Sequence, residues 1–211
     1  VSKYNCNEDA NTLRNFHSFP MPPSRHIPLI VFASSLQLYL LTLCPTINGG
    51  DAGELVAEGC SLGTAHPPGY PLYTVVVYFT TALGKVLNLS FPPAYLVNIV
   101  SATLGALSSA IIAFLVESTL NMAHQGSKDS ASYYSSAAFA AGMLFTVSPL
   151  TWQYHTTAEV FALNNFLSAL ILLTGYFYID APNQANLMSG AFVCGLAMCN
   201  QHTTILFEIP L

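Results

Sequence analysis

Residues 94–120 read AYLVNIVSATLGALSSAIIAFLVESTL, an apolar run carrying one charged side chain, Glu117. Such a run suits hydrocarbon better than water, because a charge at mid-bilayer costs roughly 2.5–3.5 kcal/mol even on lenient insertion scales. Ser101, Gly105 and Ser109 recur four apart within it, a spacing that lets membrane helices approach closely. Four more apolar runs, 27–45, 132–150, 160–179 and 187–207, accompany it. The first of them would extend about 28 Å as a helix. Composition agrees: 7% of the 211 residues are charged and 53% apolar, whereas soluble domains carry about 25% charged residues. The expected fold class is therefore an all-α membrane protein.

The polar segment 1–26 holds Lys3, Arg14 and Arg25 ahead of the first run. By the positive-inside rule it belongs in the cytosol, and without a small-residue cleavage site the run reads as a retained span. The chain starts without Met and stops inside an apolar stretch, so it is expected to be a piece of a longer membrane protein. A formal charge of −5 and the lack of any basic run exclude a nucleic-acid partner. Cys6, Cys44, Cys60, Cys194 and Cys199 follow no CxxC or zinc spacing. Cys194 and Cys199 are expected as small buried side chains within an apolar helix.

Residues 46–93 connect the first span to the run 94–120. Within them 72–89 is apolar but interrupted by Gly84 and Lys85. If 72–89 crosses the membrane, Asp51 and Glu159 lie on opposite sides; if it lies along the interface, they share one side. Lys85 and Lys128 only exchange sides, so charge counting does not decide. Asn88-Leu89-Ser90 is an N-glycosylation sequon, usable only on the luminal face, and it favours the interfacial arrangement.

Asp51, Glu54 and Glu58 are spaced i, i+3 and i+7, which puts three acids on one face of a short amphipathic helix. Asp51 and Glu54 also have capping-box spacing, so capping competes with chemistry as their role. Gly49 and Gly50 bring the chain straight from a membrane span to Asp51, where a carboxylate could take a proton from an attacking hydroxyl. His66-Pro67-Pro68-Gly69-Tyr70-Pro71 is a stiff turn that fixes where the next helix starts. His66 there reads either as a backbone-bonded turn histidine or as a contact to phosphate or metal. Trp152 and Tyr154 suit an interfacial aromatic belt, and Glu159 opens the following helix, where the dipole favours a carboxylate. Asn164 and Asn165 should face protein or a cavity, and Asn200-Gln201-His202-Thr203-Thr204 should line a polar cavity or substrate path. No His, Cys and acid set has metal-ligand spacing, so no metal site and no cofactor are assigned.

Three blocks together, GGDAGELVAEGCSLGTAHPPGYPLYT (49–74), SPLTWQYHTTAEVFALNN (148–165) and GLAMCNQHT (195–203), carry a family resemblance. The chain from 27 to 211 resembles the multi-spanning endoplasmic-reticulum protein O-mannosyltransferases that act on IPT/plexin-type domains, and their bacterial relatives. The resemblance implies a GT-C-type multi-span helical module with an amphipathic helix in its first luminal loop, in the endoplasmic-reticulum membrane. Spans are then expected at about 27–45, 94–120, 132–150, 160–179 and 187–207, with luminal loops at 46–93 and 151–159. It further implies a dolichyl-phosphate mannose donor in membrane lipid, acceptor hydroxyls of Ser or Thr on luminal protein domains, and inversion at the sugar carbon. Asp51 matches the motif's acid as candidate base, and Glu54 its second acid. Glu159 matches a second-loop acid lining the same site. His66, Tyr70, Gln201 and His202 are the polar groups left to meet the substrate, since the chain offers almost no luminal arginine; a metal or the rest of the protein would otherwise supply the positive charge. A transporter or channel subunit, with Asn164, Asn165 and 200–204 along its path, or a non-catalytic membrane scaffold are the rival readings. Convergence of Asp51, Glu54, Glu159 and His202 on one cavity discriminates the enzyme from both.

Overall fold

Where no water is available, each backbone N–H and C=O must be paired within its own segment, and runs of this kind form helices. The computed structural model describes residues 26–123 and 131–209, and among these no strand occurs. The polar segment before residue 26 and the connection 124–130, with Lys128, lie outside the described residues. The helices are α1 (His26–Leu41), α2 (Ala52–Ser61), α3 (Pro71–Val86), α4 (Pro93–Ala123), α5 (Ala131–Val147), α6 (Pro149–His155), α7 (Val160–Asp180) and α8 (Gln184–Asn200). A 3-10 turn, His202–Thr204, and a short α9 (Ile205–Glu208) follow.

α4 and α7 are long and apolar enough to cross a membrane. Only 39% and 33% of their apolar stretches are buried within the protein, so neither is the sequestered core helix of a soluble fold. Large apolar side chains elsewhere also face outward, among them Leu29, Leu144 and Phe192, the last two at 69% and 67% exposure. Outward apolar side chains of this kind mark a surface that meets lipid or a protein partner.

Several helices stop short of the apolar runs that predict them, for local reasons. α1 ends at Leu41 rather than at 45, where Pro45 bars continuation. Run 132–150 is cut at Ser148, whose extended backbone (ψ 129°) is what a following proline imposes. Run 187–207 is cut at Asn200, after which Gln201 is extended and the chain turns. Cys194 is half-buried, but Cys199, expected inside, is exposed.

α4 is the central helix and packs along α1, α5 and α7, with α8 against α7. Close packing uses the small-residue stripe: Ser101, Gly105 and Ser109 are all buried. A Cβ on Gly105 would overlap the ring of His155. Ser109 receives a 2.9 Å hydrogen bond from Thr146, and Thr146 is 2.7 Å from Ser35. Tyr39, on α1, donates to the Thr146 carbonyl. These contacts fix the helix directions. The C-terminal ends of α1, α5 and α8 meet the N-terminal ends of α4 and α7 at one end of the bundle. Asn98, near the start of α4, donates to the carbonyls of Cys44 and Thr46 just after α1, at 2.7 and 3.2 Å. The chain between α1 and α4 therefore leaves and returns at the same end, and α2 and α3 are folded over it.

Candidate active site

Glycine and aspartate begin the site. Gly50 adopts φ +79°, a conformation that favours glycine, and turns the chain into α2. Asp51 is the N-cap of α2, yet its side chain makes no capping hydrogen bond, so the spacing-based capping box does not form. The first amides of α2 are served across the fold instead. Oε1 of Glu159 accepts from the Asp51 N–H at 3.2 Å, and the Ala52 N–H also faces the carboxylate. Glu159 is itself the N-cap residue of α7 but gives its own helix no side-chain bond. A carboxylate from one helix start thus caps another, placing Asp51 and Glu159 side by side and leaving the Asp51 carboxylate uninvolved in capping, at 60% exposure.

Burial first, and the Asp51 charge second, push the Glu159 carboxyl above the usual carboxylate range, while the two α2 amides pull it back. Glu54, one turn into α2, points at His66: the His66 N–H donates to its Oε1 at 2.6 Å, and ring Nδ1 lies 3.1 Å from Oε2. The backbone bond first and the ring bond second hold the Glu54 carboxyl below its ordinary range. Nε2 of the same ring stands 3.7 Å from Oδ2 of Asp51. The stiff turn carries the imidazole there, with the Gly69 N–H donating to the His66 carbonyl at 2.8 Å. Tyr70 sits edge-on to the ring at 5.5 Å. Burial, then the charges of Asp51, Glu159 and Glu54, raise the Tyr70 phenol, so the phenol shares their neighbourhood. Glu58 is not part of the group; its carboxylate lies beside Gly63 at the far end of α2.

A cavity of about 470 Å³ opens beside these acids, lined by Asn48, Gly49, Gly50, Asp51, Gln153, Tyr154, Thr157, Glu159 and Phe161. Its far wall is the 148–161 connection. Tyr154 stacks at 4.3 Å on Phe161, and both line the cavity, while Trp152 donates to the Thr42 hydroxyl at 2.8 Å. Gln153, Thr157 and Phe161 carry no sequence signal that would single them out.

Sequence reasoning also passes over the support beneath this wall. His155 is fully buried, with Nδ1 3.0 Å from the Tyr39 hydroxyl and Nε2 3.1 Å from the Asn165 amide. Tyr39 already donates to Thr146, so Nδ1 carries the proton, Nε2 accepts from Asn165, and the ring is neutral. Desolvation lowers its pKa to about 4. Asn164 accepts from Thr204 at 3.2 Å, so both asparagines of α7 face protein.

The remaining predicted site residues do not join the cluster. Gln201 and His202 lie at the break after α8, and among the described residues no hydrogen bond or ion pair links them to Asp51, Glu54 or Glu159. Neighbouring Asn200 donates to the Val160 carbonyl at 3.4 Å, which puts the break beside the start of α7. Gln201 Oε1 is buried without a hydrogen-bond partner among the described residues, and His202 is exposed. Asn88 is exposed in the turn after α3. No group of three or more His, Cys, Asp or Glu able to hold a metal occurs among the described residues.

An all-helical membrane module whose carboxylates and histidine gather at the mouth of a cavity at one end is the class so defined. The family model described as the Protein O-mannosyl-transferase TMEM260 N-terminal domain matches residues 51–211, and this chain belongs to that family. The mouse Protein O-mannosyl-transferase TMEM260 is 39% identical over 181 residues, covering 84% of this chain and 24% of the mouse protein. The Dictyostelium discoideum Protein O-mannosyl-transferase tmem260 is 31% identical over 195 residues, 86% of this chain and 22% of that protein. The chain therefore spans about a quarter of the length of the curated relatives it matches. No solved structure matches.

Proposed function

We propose that this chain is the N-terminal part of an inverting GT-C glycosyltransferase of the endoplasmic-reticulum membrane. In this reading it moves mannose from a dolichyl-phosphate-linked donor to Ser or Thr hydroxyls of luminal protein domains. The observation that carries the proposal is the Asp51 carboxylate: relieved of capping by Glu159, it stands free at a cavity of about 470 Å³. Asp51 is the general base, taking the acceptor proton as the hydroxyl attacks the sugar. Glu159 holds the first turn of α2 and, with Tyr154, walls the sugar pocket. His66 stands behind the cavity, 3.7 Å from Asp51, with Tyr70 against its ring. Gln201 Oε1, an acceptor without a hydrogen-bond partner among the described residues, suits a sugar hydroxyl rather than a phosphate, and His202 follows it in the chain.

The bundle geometry supports the membrane arrangement proposed here. α1 ends where α4 begins, so α3 folds back over that end as an interfacial helix. Residues 46–93 and 151–159 then share the lumen, with Asn88 available to be glycosylated there. A transport path finds less support, because Asn165 is bonded to His155 and Asn164 to Thr204 rather than to open space.

The test is transfer itself. The full-length protein, purified and supplied with labelled dolichyl-phosphate mannose and a folded Ser/Thr-bearing luminal domain, should yield mannose linked to a hydroxyl side chain. Donor binding with no glycosylated product would contradict the reading.

A further inference from the structure

One residue engages both oxygens of Glu54: the His66 N–H reaches Oε1 at 2.6 Å and ring Nδ1 reaches Oε2 at 3.1 Å. An ionised carboxylate only accepts hydrogen bonds, so Nδ1 carries a proton and the neutral ring keeps its lone pair on Nε2. That nitrogen faces Oδ2 of Asp51 at 3.7 Å. Two lone-pair atoms confront each other, an arrangement that leaves room for one proton and holds it once it arrives. The charged neighbours of the ring are carboxylates: Asp51 and Glu54 from α2, and Glu159 from the start of α7. Tyr70 adds the edge of its ring.

We propose that His66 accepts the proton collected by Asp51, and that Glu54 is a positioning residue for His66 rather than a second base. The inference rests on the transferase reading above. The acceptor oxygen bonds to the anomeric carbon as the bond from that carbon to the phosphate oxygen breaks, and the electron pair leaves with the phosphate. The hydroxyl proton passes to the Asp51 carboxylate and on to His66 Nε2. The imidazolium then lies between two carboxylates and returns its proton to water, which reaches the ring because its side chain is 36% exposed. This assigns the HPPGYP turn a purpose beyond stiffness: it holds one imidazole between two acids of the preceding helix.

The experiment is a pH–rate profile of mannose transfer by the full-length protein and its variants. His66→Gln should cut kcat about ten- to a hundredfold with little change in donor KM. It should also abolish the acidic limb of the wild-type profile, and added imidazole should partly restore His66→Ala. Glu54→Gln keeps the ring but removes the charge behind it, so the limb should move to lower pH. An acidic limb unchanged in His66→Gln, or, where that variant does not fold, unmoved in Glu54→Gln, overturns the relay. A loss confined to donor KM also overturns it and assigns His66 to the phosphate. Asp51→Asn separates the two claims: loss of activity in Asp51→Asn together with an acidic limb unchanged in His66→Gln keeps the base and removes the relay, whereas active Asp51→Asn removes both.

Discussion

Removing the Glu159 carboxylate should loosen the first turn of α2 and leave the bundle beneath it intact. That carboxylate accepts the Asp51 and Ala52 amides in a buried setting. Hydrogen bonds to charged groups contribute about 1.5–3 kcal/mol, and loss of a helix cap costs about 0.5–2 kcal/mol. Burial and the nearby Asp51 charge offset part of this, as the raised Glu159 carboxyl shows. A net cost of roughly 1.5–2 kcal/mol for Glu159→Ala follows from those ranges. Expressed as opening of the first turn, it is roughly ten- to thirtyfold faster amide exchange at the start of α2. Glu159→Gln keeps an acceptor oxygen without the charge, and should cost under about 1 kcal/mol. Hydrogen exchange on the full-length protein, followed in peptides covering 51–61 and 160–180, reads both. Unchanged exchange at the start of α2 in Glu159→Ala would refute the cross-fold cap, and equal damage from Ala and Gln would show that charge, not the hydrogen bond, holds the turn.

Gly50→Ala should disturb the same place by another route, since φ is +79° and the new Cβ would stand 3.0 Å from Glu159 Oε1. A cost of about 1–2 kcal/mol is expected from the left-handed conformation alone, with faster exchange at 51–55; a neutral substitution would mean the turn relaxes freely. His155 governs a pH dependence. Its ring is held neutral with a pKa near 4 rather than 6.5, so the unfolded chain binds the proton first as pH falls. Stability is full above about 6.5, declines between there and about 4, and levels off below. At about 1.4 kcal/mol per pH unit the whole decline is roughly 3 kcal/mol. Thermal unfolding across that window, compared between wild type and His155→Gln, should show a steeper loss of stability with falling pH in wild type, and equal slopes would contradict the buried neutral ring.

Helix identity is legible in this chain because lipid-compatible runs have so few alternatives, and the stripe Ser101, Gly105, Ser109 correctly marks a close helix contact. Helix ends are less so: Pro45, Pro149 and the extended Gln201 act over one or two residues inside runs that otherwise stay apolar. The acids of α2 were visible, but not their partners. Spacing alone pairs Asp51 with Glu54 as a cap, whereas the cap comes from Glu159, 108 residues away. Only tertiary packing brings that carboxylate across and frees Asp51. His66 was visible as a turn histidine, and its two-sided contact follows from the HPPGYP turn doubling back along α2. The Tyr39–His155–Asn165 network carries no local signature: Asn165 reads as a polar group that needs a partner, but nothing in the spacing names Tyr39 and His155 as the rest of the network.

The most direct test of the central claim is the turnover of Asp51→Asn in the full-length protein, measured with donor saturating and acceptor folded. Asn keeps the size and the exposed position of the side chain but cannot accept the hydroxyl proton. The account predicts a fall in kcat of about a hundred- to ten-thousandfold, with donor binding retained and with a smaller loss for Glu54→Gln. Turnover by Asp51→Asn within a fewfold of wild type would contradict the assignment of Asp51 as the general base.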